Sequence, residues 1–543
     1  MFREKIKRRI VPRWWRSADA ATTKEFAPLK AGKPLPVPDK TLLDSQLREF
    51  GENPTLGIAA ETIAAAAMAG EKERAREAAK FVLAHPEDAS PLLQRSARAA
   101  LGLPVEDHVL GNEDTEIGRI KDLLRLNPRN AALWVDLARL QAAKGGGKEA
   151  KKRARRSILA ALTLAPNNRW VLRSANRFFL HIEEPDVAHR LLARHQRTRT
   201  DPWLMAAEIA TAQILGVTPT SQKVALSLIR AKSLPPSHRS ELYAACATSE
   251  MESGGHKFAR RLFSTALENT TENAVAQAEW AQREMGDSVE VQPALSRVTG
   301  AFEAECWIHF YEGRLDQAFT AAKEWWCDEP FATNPVSMVC YLAGLREDFR
   351  TILDVTDRII PRDPDDPLHR HNRIFALIAS GEIFHGKQIE DLVLDYTIGR
   401  VRRVDNDYSH AMANIGMFLY RIGEHASGRR AYEASIEVAK RRGNVLLAIN
   451  AGLYHAREAI LQEAFWADAV LEEAQRLYKS SKRLSGAAIG KYLDKLAVAR
   501  KDRSMAEIIR LQESAVQSEL PSAHSWGLAD ARHIALPLIK ITE

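Results

Sequence analysis

"YAACATSEMESGGHKFARRLFSTAL", residues 243–267, joins two apolar patterns of helix length across a pair of glycines. Tyr243, Cys246, Ala247 and Glu250 recur at three- and four-residue steps, and after Gly254 the same rhythm resumes at Ala259, Phe263 and Ala266. That spacing places each set on one face of a helix. Gly254 sits where the first helix must stop, because a left-handed cap costs glycine little. The stretch therefore reads as helix, turn, helix. Ala247 is small enough to let the two helices approach, and Phe263 fills the space toward the next pair.

The pattern returns. At the same offsets stand Met412, Ile415-Gly416, Leu419, Gly423, Gly428, Tyr432 and Ser435. A third window has a shorter turn: Trp307-Ile308 and Tyr311, then Ala318, Ala322, Trp325 and Pro330. Gly70, Ala75, Ala79 and Val82 repeat it weakly, and residues 445–478 read as one more pair with a longer turn. Prolines recur at Pro54, Pro86, Pro128, Pro166 and Pro202, 32, 42, 38 and 36 residues apart, where a second helix would end. A two-helix unit cannot bury its apolar face alone, so such units stack into one elongated core.

These residues resemble the tetratricopeptide repeat, a two-helix unit of about 34 residues. The resemblance covers about half the chain; 333–400 and 485–543 are helical in pattern but depart from the motif. It implies an all-α fold: an α-solenoid of stacked two-helix repeats curved into a superhelix, with a basic N-terminal arm. The expected organisation is an arm and Pro-rich linker over 1–40, one solenoid over 41–290 and another over 291–543. The resemblance also implies that partners lie along the first helices. Carried onto the two best windows, the groove positions are Glu241, Ala244, Thr248, Met251 and Glu252, then His410, Ala413, Met417, Tyr420 and Arg421. In the weaker windows they include Arg139, Asn168 and His309. No consistent Lys/Asn clamp for a terminal carboxylate accompanies them.

Composition agrees with a folded helical protein: 45% hydrophobic and 27% charged residues, with little Val-Ile-Thr alternation. No apolar run reaches the roughly 18–20 residues that span a bilayer. "VPRWWRSADA" after the basic start is no secretory signal core. Four scattered cysteines without a Cys-x-x-Cys pair suit reduced thiols, and cytoplasm is the expected compartment. The net charge of +7 is concentrated. Residues 1–16 carry +6 and 148–156 carry +5, which leaves −4 for the remainder.

"KGGGKEAKKRARRS", residues 144–157, is not a phosphate loop: Ala142 stands where the first glycine belongs, and Glu149 follows Lys148. On a helix, Lys148, Lys151, Lys152, Arg155 and Arg156 form one stripe opposite Ala150, Ala154, Ile158, Ala161 and Leu162. A solvated face, contact with an acidic protein and contact with nucleic acid all fit. In "MFREKIKRRIVPRWWR", Phe2, Ile6 and Ile10 share a helix face, Trp14 and Trp15 follow Pro12, and Arg8 and Arg9 lie between. Such an arm can dock in a partner's groove, lie on an anionic membrane or hold nucleic acid, or it is a plain tail. The Pro-rich 17–40 stretch reads as a linker that frees the arm, so removing 1–16 should leave the repeats as stable as before.

His369 and His371 near Asp363, Asp365 and Asp366 invite a metal reading, as do His181, Glu183, Glu184, Asp186 and His189. Their spacing matches no metal motif, and solvated loop charges explain them. No nucleophile-and-base pattern or dinucleotide loop is present. The expected function is a non-catalytic scaffold or adaptor without cofactor or metal, binding protein through groove and arm. It would serve as a subunit of a larger complex, one option being regulation of a partner effector enzyme. The alternative is a nucleic-acid-associated repeat protein using the arm and the stripe.

Overall fold

The computed structural model describes residues 11–14, 17, 40–69, 71–89, 91–103, 113–145, 147–285, 289–298, 300–363, 366–382 and 406–502. Among these the regular elements are 25 α-helices and a few 3-10 turns, with no strand. Two compact units form. Unit 1 takes the chain up to Ala304 together with Trp325–Ala332; unit 2 takes Glu305–Glu324 and the chain from Thr333 onward.

In unit 1, α1 (Ala131–Lys144) pairs with α2 (Gly147–Leu164), and α3 (Arg169–His181) with α4 (Pro185–Ala193). Next, α5 (Pro202–Leu215) is followed by α6 (Gln222–Arg230), α7 (Ser240–Glu252) pairs with α8 (His256–Ala266), and α9 (Glu272–Met285) comes after them. The first helices α1, α3, α5, α7 and α9 each pack on the next, making one wall. Their starts are set locally. Asn130 accepts hydrogen bonds from the Ala132 and Leu133 amides at the start of α1, and Asp201 accepts from the Trp203 amide with Pro202 in the first turn of α5.

The quoted pair forms as its spacing requires. Gly254 takes φ +83° between α7 and α8, while Ala247 and Phe263 are fully buried. In unit 2, α10 (Asn406–Arg421) pairs with α11 (His425–Arg441), and α12 (Val445–Leu461) with α13 (Ala467–Ser480). Gly423 turns at φ +87°, and a Cβ on Gly416 would lie 2.6 Å from the Tyr432 ring. Only a residue without a side chain fits that crossing. Among the described residues, successive pairs of packed helices recur along the chain. No described helix is long and apolar enough to cross a membrane.

Candidate segment-binding site on unit 1

The wall of first helices in unit 1 carries a passenger. Val11–Trp14 is a non-helical stretch in which Pro12, Arg13 and Trp14 are buried, and Ser17 is buried too. Here the structure corrects the sequence reading. The end of the arm is not freed by its linker but seated on its own repeats. Phe2, Ile6, Arg8, Arg9, Ile10 and Trp15 lie outside the described residues.

Trp14 joins the cluster of α1 and α3. Its ring meets Phe178 edge-on at 5.8 Å and Phe331 at 5.1 Å, geometries that favour aromatic pairs. The same cluster holds Ala131, Ala132, Ala138 and Ala175 beside Trp170 and Phe179, and the Trp14 indole joins it from outside the described helical pairs. Main-chain groups are held as well. Arg139 Nε donates to the Trp14 carbonyl at 3.1 Å, and Asn273 Nδ2 donates to the Val11 carbonyl at 2.8 Å. Ser17 donates both its amide and its hydroxyl to Asp136, the amide at 2.9 Å. Each of these donors or acceptors belongs to a first helix, so the wall grips backbone at several points along the segment.

Arg13 enters an acidic pocket. Its guanidinium donates to Glu329 at 2.5 Å and to Glu303 at 2.8 Å, with Asp328 and Glu272 close by. Burial by itself would lower the Arg13 pKa, but Glu329 and Glu303 raise it beyond its ordinary value. Burial would raise Glu329; the guanidinium groups of Arg13 and Arg177 and a bond from the Trp325 indole instead hold it low. Burial pushes Glu303 and Glu272 up and carries Asp328 to about 7, against the pull of Arg13. Arg13 thus sits among four acids; with Arg177 it holds Glu329 ionised, while burial favours the protonated form of the other three. Around it, Arg177 stacks over Phe331 at 5.2 Å, and Arg173 pairs with Glu241 at 2.7 Å.

The other expected groove residues are mostly occupied in packing. Asn168 caps α3 through the Trp170 and Val171 amides. Thr248 is fully buried, donating to the Ala244 carbonyl and accepting from Gln277, and Met251 is buried at the end of α7. Met417 and Tyr420 are closed into unit 2, where the Tyr420 hydroxyl meets His455 at 3.0 Å and accepts from Trp466 at 2.8 Å. These four side chains are not open to a partner, because the repeats use them as core. Arg421, expected on a groove, is paired with the buried Glu458 at 2.7 Å. His309 accepts from Arg314, and the His410 ring lies 5.0 Å from that of His371. Glu241 and Ala244 are buried.

The basic stripe divides. Lys151, Lys152 and Arg156 are exposed, whereas Arg155 pairs with Glu184 and lies over Phe179 at 5.3 Å. Lys148 lies on α2, but its side chain is outside the described residues. Of the polar groups set aside as loop charges, Glu183 and Asp186 are exposed as expected and Asp365 lies outside the described residues, but the group around His369 is not solvated. Asp366 caps the helix Pro367–Ala379 through the Leu368 amide at 2.9 Å, and Asp366, His369 and His371 are all buried. Asp363, Asp366 and His369 do bring ligand atoms within 4.8 Å of one another. Elsewhere, His189 faces Glu208 at 3.0 Å and Asp186 pairs with Arg190.

Sequence reasoning named Trp14 and Arg139 but missed Arg13, Asp136, Asn273, Glu303, Glu329 and Phe331. The one local signal was "DEPF" at 328–331, two acids and an aromatic in a turn. Nothing in the sequence joins it to residue 13.

No protein-family model matches the chain, and no curated protein matches it. Among solved structures it is similar to the human IFIT1 dimer with m7Gppp-AAAA: 12% identity over 75% of this chain and 96% of that one, TM-score 0.29. It is similar to yeast Tom70 at 12% identity, over 89% of this chain and all of that one, TM-score 0.29. A Naa15/Naa10 complex bound to HypK-THB aligns at 14% identity over 92% of this chain and 84% of that one, TM-score 0.22. These likenesses bear on no ligand or partner.

Proposed function

We propose that the chain is a non-catalytic adaptor that takes up a polypeptide segment on the first-helix wall of unit 1. The observation that supports this is the seating of Val11–Trp14. Arg139 and Asn273 bind the carbonyls of a passing chain, while an acidic and an aromatic pocket take its side chains. Main-chain capture with side-chain pockets is how peptide-binding surfaces combine affinity and selectivity. A role inside a larger complex, and regulation of a partner enzyme, follow from this reading as further proposals.

The test is co-purification from the native host of the full chain and of an Asn273→Ala, Glu303→Gln variant. The reading expects a defined set of proteins to be lost from the variant; an identical set from both would sink it. The nucleic-acid alternative rests on the exposed Lys151, Lys152 and Arg156. It expects RNA or DNA binding that weakens steeply with salt and disappears in Lys151→Glu, Lys152→Glu.

A further inference from the structure

We propose that Pro12–Trp14 is a tethered self-ligand: the wall selects an arginine followed directly by a bulky aromatic residue, and the chain's own copy holds that site until another segment bearing the pair displaces it. This rests on the segment-binding reading above and names both its ligand class and its control.

Three observations carry it. First, the two pockets are adjacent and of different chemistry. Glu329 and Glu303 take the guanidinium, and Phe178 with Phe331 takes the ring of the next residue. Two carboxylates on separate guanidinium nitrogens suit the planar fork of arginine better than the point charge of lysine. Second, the aromatic pocket reads shape. Trp14 Nε1 is buried, yet has no acceptor among the described residues. Third, the occupant belongs to no repeat. It reaches the wall from outside the helical pairs, joined to them through residues 18–39. Val11–Trp14 is non-helical, so its departure takes no described wall helix with it, whereas removing any wall helix would dismantle a repeat.

A tethered copy competes at an effective concentration on the order of mM. A free segment therefore binds with an affinity reduced by the fraction of time the site is vacant. The experiment uses a synthetic peptide of residues 9–18, "RIVPRWWRSA", titrated into two full-length chains. One is unmodified; the other carries Arg13→Ala and Trp14→Ala, which empties the site without shortening the chain. The double variant should bind the peptide at least about tenfold more tightly than the unmodified chain. Peptides with Arg13→Lys or Trp14→Ala should each bind it at least about tenfold more weakly than the parent peptide.

Equal affinity for both chains would overturn the self-ligand while leaving segment binding intact. Equal binding of all three peptides would overturn the arginine–aromatic selectivity. Binding to neither chain would overturn this proposal and the segment-binding reading together. If the double variant does not fold, the same question is read in the unmodified chain by hydrogen exchange. The Ser17 amide, donated to Asp136, should exchange faster when the peptide is added at mM concentration. Unchanged exchange at that concentration would overturn the proposal.

Discussion

Arg13 and Glu329 are 316 positions apart in the chain and meet through a 2.5 Å hydrogen bond inside unit 1. Both side chains are nine-tenths or more buried, and Glu303 completes the pair at 2.8 Å. Arg13→Ala strands carboxylates in a low-dielectric site. Breaking one side of such a pair costs up to about 3–5 kcal/mol. Urea unfolding should show the loss in unit 1, and removing residues 1–17 should lower its stability as well. An unchanged midpoint for both variants would mean that the segment is not seated in solution.

Trp14 separates shape from hydrogen bonding. Trp14→Ala empties an indole-sized space and should cost about 3–5 kcal/mol. Trp14→Phe keeps an aromatic ring and loses no hydrogen bond, since the indole nitrogen has no acceptor among the described residues. It should cost less than about 1.5 kcal/mol. Thermal melts of the two variants, compared side by side, check the order; a Phe variant as unstable as the Ala variant would contradict it.

Gly416 stands where α10 crosses Tyr432 of α11. A methyl group there would sit 2.6 Å from the ring, and Gly428 is similarly crowded by Tyr420 and by the Gly416 carbonyl. Gly416→Ala should destabilise unit 2 by about 1–3 kcal/mol despite the better helix propensity of alanine. Denaturant titration followed by circular dichroism measures it, and a stabilised variant would show that the crossing is looser than the structure has it.

The repeat resemblance implied that Arg421 faces an open groove, where a truncation costs little. Its bond to the fully buried Glu458 makes it a partner that the core needs, though Arg457 also binds that carboxylate at 2.5 Å. Arg421→Ala should cost about 1–3 kcal/mol, the penalty for a buried acceptor losing a charged donor. A cost below about 0.5 kcal/mol would restore the surface reading.

Asp328 and Glu279 give the stability a pH dependence. Burial lifts each to about 7, so each binds its proton more tightly folded than unfolded. Their stabilising contribution is complete below the unfolded values near 4 and is lost as pH rises through about 7. Glu329 and Asp201 are held below their usual range despite burial, and their contribution is lost only as pH falls into the acid range. Between pH 5 and 7 each raised group should therefore contribute a decline of at most about 1.4 kcal/mol per pH unit, opposed up to about pH 6.5 by His455, which burial holds down at about 3. Asp328→Asn with Glu279→Gln should flatten the decline in urea midpoints taken at pH 5, 6 and 7. The same slope in the variant would assign the dependence elsewhere.

The repeat architecture was legible because it is written in local terms. Apolar residues at helical spacing, Gly254 and Gly423 in positive-φ turns, and the small residue opposite Tyr432 all act within about 34 positions of one another. Thr248, Met417 and Tyr420 were misplaced for a related reason. A first helix packed on both its neighbours has little free face, and periodicity does not reveal how much of a helix its neighbours will cover.

By itself the sequence determined the helices and their pairing, and it left the arm that carries Trp14 open between a partner groove, a membrane, nucleic acid and a plain tail. Only the tertiary structure decided where Trp14 sits. Glu303, Glu329, Asn273, Asp136 and Arg139 become one site because stacked first helices bring distant positions together, and no spacing in the chain encodes that convergence. The burial around these acids is likewise a property of the assembled wall. In the linear sequence, Arg13 is one basic residue of an arm; buried against Glu329, it is the charge that, with Arg177, keeps that carboxylate ionised.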